Sequence, residues 1–249
     1  MTRVISILFI TLRVFCFSIS IGSIAYAAAT SSEITPDITS ELNVSSTDAN
    51  ALLDQTVVQM ICDYLTQHNK LSIDFTQIDC NGTTNSGKIL IDKPCKFRLN
   101  YYAPFPLLII GDKKRISVYD YDMEQVTILD ASQNMLSILL DDTLDLASQQ
   151  ELRISKALSD GTIAQLEVTN DSVQKSIVFV FDIVAQKLTK IILLENEIET
   201  CLDVINIKPV QHFNQKLFEF RSPLLYGPPR RLNKQQIEKM TEFAEQDQE

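Results

Sequence analysis

Three acidic side chains, Asp120, Asp122 and Glu124, alternate with Tyr121 and Met123 inside "ISVYDYDMEQVTI", residues 116–128. Carboxylates at this spacing can hold calcium, act as a general acid and base, or end a hairpin. An EF-hand loop opened at Asp120 needs glycine at its sixth position and glutamate at its twelfth; Gln125 and Ala131 stand there. A glycosidase pair needs two carboxylates flanking a cleft. Asp120 and Asp122 share a face if the chain is extended, so an exported hydrolase using them is one alternative, although nothing nearby marks a sugar cleft. Between two apolar runs, short acidic side chains favour turns because their oxygens accept from the following backbone. The stretch reads as a hairpin turn over 121–124.

Other chemistry finds little support. His68 and His212 are the only histidines, far apart and without a paired ligand motif. There is no G-x-S-x-G elbow, no phosphate loop and no Cys beside His. No catalytic residue, metal or cofactor is expected. With 32 acidic against 22 basic side chains, the net charge of −10 also leaves no basic stripe for nucleic acid.

The elements that must position any site begin at the N-terminus. Arg3 and Arg13 precede an apolar run, "VFCFSISIGSI", that ends in Ala25-Tyr26-Ala27. This predicts a signal peptide over 1–27, cut after Ala27. An uncleaved anchor starting near Val4 is the alternative, interrupted by Arg13. Cys16 follows Phe15, not the small residue a lipidated cysteine requires. Without Arg3 and Arg13 the basic count falls from 22 to 20 against 32 acids, so the mature charge is −12. Four cysteines remain. Cys80 and Cys95 flank a strand and could close a loop of about 16 residues, contributing roughly 3 kcal/mol; buried thiols are equally compatible with the sequence.

Residues 28–50 are rich in Ser, Thr, Asp and Asn and read as a disordered linker. A helix is predicted from a cap at Thr47 or Asp48, with Leu53, Val57, Ile61 and Leu65 on one face. From Leu71 the period changes to two. Phe97, Leu99 and Tyr101 point one way, as do Ile177, Phe179 and Phe181. Met135, Leu136, Leu139 and Leu140 fit a short apolar helix. Strands over roughly 153–158, 161–169, 176–182, 187–195 and 200–207 follow at sandwich or barrel spacing. Few helices must cover a long sheet. Incomplete cover would leave a greasy pocket; an ordinary filled core gives the same alternation.

Several pieces then match one family in order and spacing: "FTQ" at 75–77, "G-x-I-x-I-x-K-P-x-x-F-R-x-x-Y" from Gly87 to Tyr101, Pro104, Gly111-Asp112, "VYDYDMEQVT" at 118–127 and "FEFRSP" at 218–223. From about Leu52 to Pro223 the chain resembles the periplasmic outer-membrane lipoprotein carrier (LolA) family of Gram-negative bacteria. The resemblance implies a mainly β (α+β) fold, an open antiparallel half-barrel sheet with a helical lid over its concave face. It implies a carrier domain over 51–227, followed by a polar C-terminal tail over 228–249. It implies a binding role without covalent chemistry: acylated lipoproteins leave an inner-membrane lipoprotein-releasing transporter, cross the periplasm in the cavity, and pass to an outer-membrane acceptor. A monomer is expected. The implied cavity residues are Phe75, Ile89, Ile91, Phe97, Leu99, Tyr101, Leu107, Ile109, Val118, Phe179 and Phe181. The implied lid is Met135, Leu136, Leu139 and Leu140, tethered by Lys93, where an arginine is the better-known occupant, with Arg98 contributing. A Thr-Pro pair that often opens the lid helix is replaced by Gln133-Asn134. A lipoprotein acceptor or sensor of the same architecture, and an envelope protein without a cavity, are the remaining alternatives.

Overall fold

The computed structural model describes residues 54–78, 82–94, 96–112, 114–131, 135–140, 151–195 and 198–243, with side chains 136 and 137 excepted. The signal segment, the linker, the Thr47 and Asp48 cap positions, Gln133-Asn134, and both cysteines of the expected 80–95 pair lie outside the described residues.

Helix α1 (Gln55–Thr66) is capped by Asp54, whose carboxylate accepts from the Thr56 amide at 2.8 Å and the Val57 amide at 3.4 Å. Val57, Ile61 and Leu65 are its buried stripe, as their four-residue spacing predicts.

The chain then runs through β1 (Lys70–Ile78), β2 (Thr84–Asp92), β3 (Lys96–Tyr101), β4 (Leu107–Gly111), β5 (Arg115–Asp120) and β6 (Gln125–Asp130). A 3-10 helix, Met135–Leu140, separates this meander from β7 (Leu152–Ser159), β8 (Ile163–Asn170), β9 (Lys175–Asp182), β10 (Lys187–Glu195) and β11 (Ile198–Phe213). One antiparallel sheet results, in the order β6-β5-β4-β3-β2-β1-β11-β10-β9-β8-β7. The ends, β6 and β7, do not pair, so the sheet stays open. The two meanders are joined by β1 and β11, where Ile73 faces Ile207 and a bulge falls between Asp74 and Phe75. Bulges increase bending and twist.

Two glycines shape the inner face. Gly87 lies opposite Phe75 and Gly111 opposite Phe97. A Cβ at either position would collide with the facing ring, and at Gly87 also with the Asn100 carbonyl. Both phenyl rings therefore lie down on the sheet.

The polar-tail expectation for 228–249 is corrected over its described part. Strand β11 is longer than the sequence suggested: its first part pairs β10, its middle pairs β1, and Val210–Phe213 pairs β12 (Thr241–Phe243). A short helix, Lys234–Glu238, starts with a capping box between Asn233 and Gln236. Its Ile237 is fully buried with Leu90, Val210, Phe213 and Leu217 in a second core on the outer face. Apolar side chains on the back of the sheet need cover, and the tail supplies it.

Candidate functional site: the covered inner face

One buried cluster occupies the inner face. Phe75, Ile89, Ile91, Phe97, Leu99, Ile109, Val118, Phe179 and Phe181 all belong to it, each at most 4% exposed. Tyr101 and Leu107 pack against it, partly buried. The structure thus brings the expected cavity residues together. Alternation does this physically: with a period of two, every second side chain of each strand joins one face. The β8 contribution, Ala164, Leu166 and Val168, is fully buried and absent from the expected set. Its signal was legible, because Gln165 and Glu167 alternate with these residues.

The cover consists of α1 and the 3-10 helix. Val57, Ile61 and Leu65 share the cluster with Met135, Ile138, Leu139 and Leu140. Ile138 is the missed lid residue. In the 3-10 helix, side chains three apart eclipse, which sets Ile138 in line with Met135. Tyr64 sets its ring edge-on to Phe181 at 5.0 Å. Tyr101 does the same to Phe75 at 5.2 Å and donates its hydroxyl to Gln77 Oε1 at 2.7 Å. Burial pushes the Cys62 thiol and the Tyr64 phenol up, so both stay neutral in the cover. Cys62 and Cys201 are free thiols.

Lys93 ties the cover down. It sits in the β2–β3 turn, and its Nζ donates to the Leu65 carbonyl at 2.6 Å; its amide donates to Asn69 O at 2.8 Å. The last turn of α1 has no basic residue of its own. Lys93 thus satisfies an orphan carbonyl and places a cation at the negative end of the helix dipole. The tether reaches the C-terminal end of α1. At the other end of α1, the Asp54 amide donates to Ala157 O at 3.0 Å.

Arg98 does not contribute to the lid, and that expectation is corrected. It lies on the outer face, opposite to Phe97 and Leu99. Its Nε donates to Asn100 Oδ1, and its Nη1 to Leu217 O at 2.7 Å. Burial lowers its guanidinium pKa to about 10. Arg98 holds the 3-10 helix Gln215–Phe218 on the back of the sheet.

The acidic stretch is a turn. Asp120 Oδ1 accepts from the amides of Asp122 and Met123, both at 2.9 Å, while Asp122 is exposed and Glu124 takes a positive φ of 52°. One carboxylate closes the hairpin and the other faces solvent, an arrangement unlike two carboxylates across a cleft. Among the described residues no His, Cys, Asp or Glu group converges in a way that could hold a metal.

One open antiparallel sheet with its apolar inner face covered by two helices is the architecture these residues build. The profile of the family "Outer membrane lipoprotein carrier protein LolA" matches residues 66–221. The chain belongs to this family. An uncharacterized protein of Rickettsia prowazekii is 37% identical over 177 residues, covering 71% of this chain and 82% of the relative. The outer-membrane lipoprotein carrier protein of Dechloromonas aromatica is 36% identical over 81 residues, 30% of this chain and 39% of the relative. That of Xanthomonas campestris is 34% identical over 89 residues, 33% and 43%. The matched stretches thus span less than half of these two named carriers. Among solved structures, a LolA superfamily protein of Nitrosomonas europaea superposes with a TM-score of 0.40 at 12% identity, over 67% of this chain and 97% of that one. The Pseudomonas aeruginosa MucA/MucB complex superposes with a TM-score of 0.35 at 13% identity, over 67% and 60%.

Proposed function

We propose that the protein carries lipoprotein acyl chains across the periplasm, receiving them from an inner-membrane releasing transporter and passing them to an outer-membrane acceptor. The observation that carries this reading is the pairing of a predominantly apolar inner face with a cover fastened at its rim by Lys93. Expelling α1 from the sheet exposes Val57, Ile61 and Leu65, at a cost of roughly 5–9 kcal/mol. A sixteen-carbon acyl chain buried in their place contributes roughly 12 kcal/mol at ~0.8 kcal/mol per methylene. Cargo can therefore displace the cover, and the cover can close again when cargo leaves. The role needs binding and release, which fits an inner face built of aliphatic and aromatic side chains.

The test is mass spectrometry of the protein purified as exported from cells that make lipoproteins. Acylated proteins are expected to accompany it. A Leu99→Glu variant, which places a charge on the inner face, should lose them. A wild-type preparation free of acylated protein, or a Leu99→Glu variant that retains its full complement, overturns the reading.

A further inference from the structure

Within the outer-face segment lies a turn that no other described residue covers. In α2 (Pro223–Tyr226), Leu224 is 96% exposed, Leu225 78% and Tyr226 69%. A single exposed leucine needs no account, but three consecutive large apolar side chains at one tip form a patch. The turn is rigid. Pro223 opens it, the amides of Leu225 and Tyr226 donate to Ser222 O, and Gly227 closes it at φ 73° with its amide on Pro223 O. Pro228-Pro229 follow.

Both flanks are pinned to the sheet. Phe220 packs on the Leu108, Ile110 and Tyr119 cluster, and Leu232 on the second core. The Tyr121 hydroxyl donates to Arg230 O at 3.4 Å. The tip is thus presented with little further ordering to lose on binding.

The charge around the tip is opposite to that of the chain. Arg221, Arg230 and Arg231 are exposed, and Glu219 is already paired with Arg221 at 3.0 Å. Arg221 also lies 5.9 Å from the centre of the Tyr226 ring. On a protein of net charge −10 this is a basic island beside an apolar tip.

We propose that α2 and its three arginines dock the protein on an anionic bilayer surface. Leu224 and Leu225 insert below the headgroups, Tyr226 sits at the interface, and the arginines meet lipid phosphates. The acidic remainder of the molecule is repelled, so the protein docks in one orientation. The inference does not rest on the cargo reading, because vesicles without lipoprotein suffice to test it.

Flotation with vesicles of phosphatidylglycerol and phosphatidylethanolamine, against phosphatidylcholine alone, reads the binding. The protein should float with the anionic vesicles at low salt and weaken at 0.5 M salt. Replacing all three arginines by Gln should reduce partitioning about a hundredfold. Leu224→Ser with Leu225→Ser should reduce it tenfold or more. The chain has no Trp, so Leu225→Trp is a clean reporter: its emission should shift to the blue on anionic vesicles and be quenched by brominated acyl chains. Absence of flotation at low salt, flotation unchanged by the double serine variant, or an unshifted emission overturns the proposal. So does capture by an acidic protein surface without any vesicle binding.

Discussion

Replacing Lys93 by Met keeps an apolar stem of similar length and removes the ammonium that fastens α1. A hydrogen bond from a charged donor contributes about 1.5–3 kcal/mol. A cation at a helix C-terminus adds about 0.3–1 kcal/mol. Removing the ammonium also relieves the desolvation of a group only 8% exposed, which offsets part of the loss. A net weakening of about 2 kcal/mol follows, equivalent to roughly a thirtyfold larger open population. Amide hydrogen exchange measures that population element by element. Exchange in α1, for instance at the amides of Val58 and Gln67 that donate to Asp54 O and Asp63 O, should accelerate about thirtyfold. The central pair β1–β11 should not change. Two results refute the reasoning: α1 exchange at the wild-type rate means that Lys93 does not hold the cover, and uniform acceleration through β1 and β11 means that it supports the whole fold instead. Lys93→Arg should restore protection.

Gly111→Ala should cost about 1 kcal/mol, because the Phe97 side chain can swing away, whereas Gly87→Ala should cost about 3 kcal/mol because the Asn100 carbonyl also blocks the new Cβ; urea midpoints rank them, and Phe97→Leu should rescue Gly111→Ala alone. Arg98→Met should loosen the outer-face segment, raising protease cleavage within 214–243 while leaving α1 exchange unchanged, and costing about 3 kcal/mol. Burial alone would raise the Asp112 carboxyl, but backbone hydrogen bonds from Lys114 and Arg115 and the charges of those two residues outweigh it and hold its pKa low. Its contribution is therefore present above the unfolded carboxylate pKa of about 3.9 and lost as pH falls through the lower folded value. The stability gap between wild type and Asp112→Asn should be open at pH 7 and close on acidification below about pH 4, as denaturation midpoints across pH would show.

Much of the site is legible in the chain. Period-two alternation places Phe97 with Leu99, and Phe179 with Phe181, because a strand's pleat leaves no other option. Helical spacing groups Val57, Ile61 and Leu65 for the same kind of reason. The turn at Asp120 follows from side-chain oxygens competing for nearby backbone amides, a contact two and three residues long. Even the error over Arg98 was avoidable: the alternation that sets Phe97 and Leu99 inward sets Arg98 outward. Such rules are local, and the sequence by itself determines what they reach.

The tertiary structure decided the rest. Alternation sorts a strand into two faces without saying what covers either one. That Lys93 reaches back to Leu65, that Arg98 meets Leu217, and that β11 lies against β1 and then continues to receive β12 are contacts between segments far apart in the chain. They depend on which surfaces remain apolar and uncovered after the strands have paired. The segment 228–243 shows this most plainly: its polar composition reads as a tail, but Leu90, Val210 and Phe213 leave an apolar patch behind the sheet, and Ile237 is what closes it.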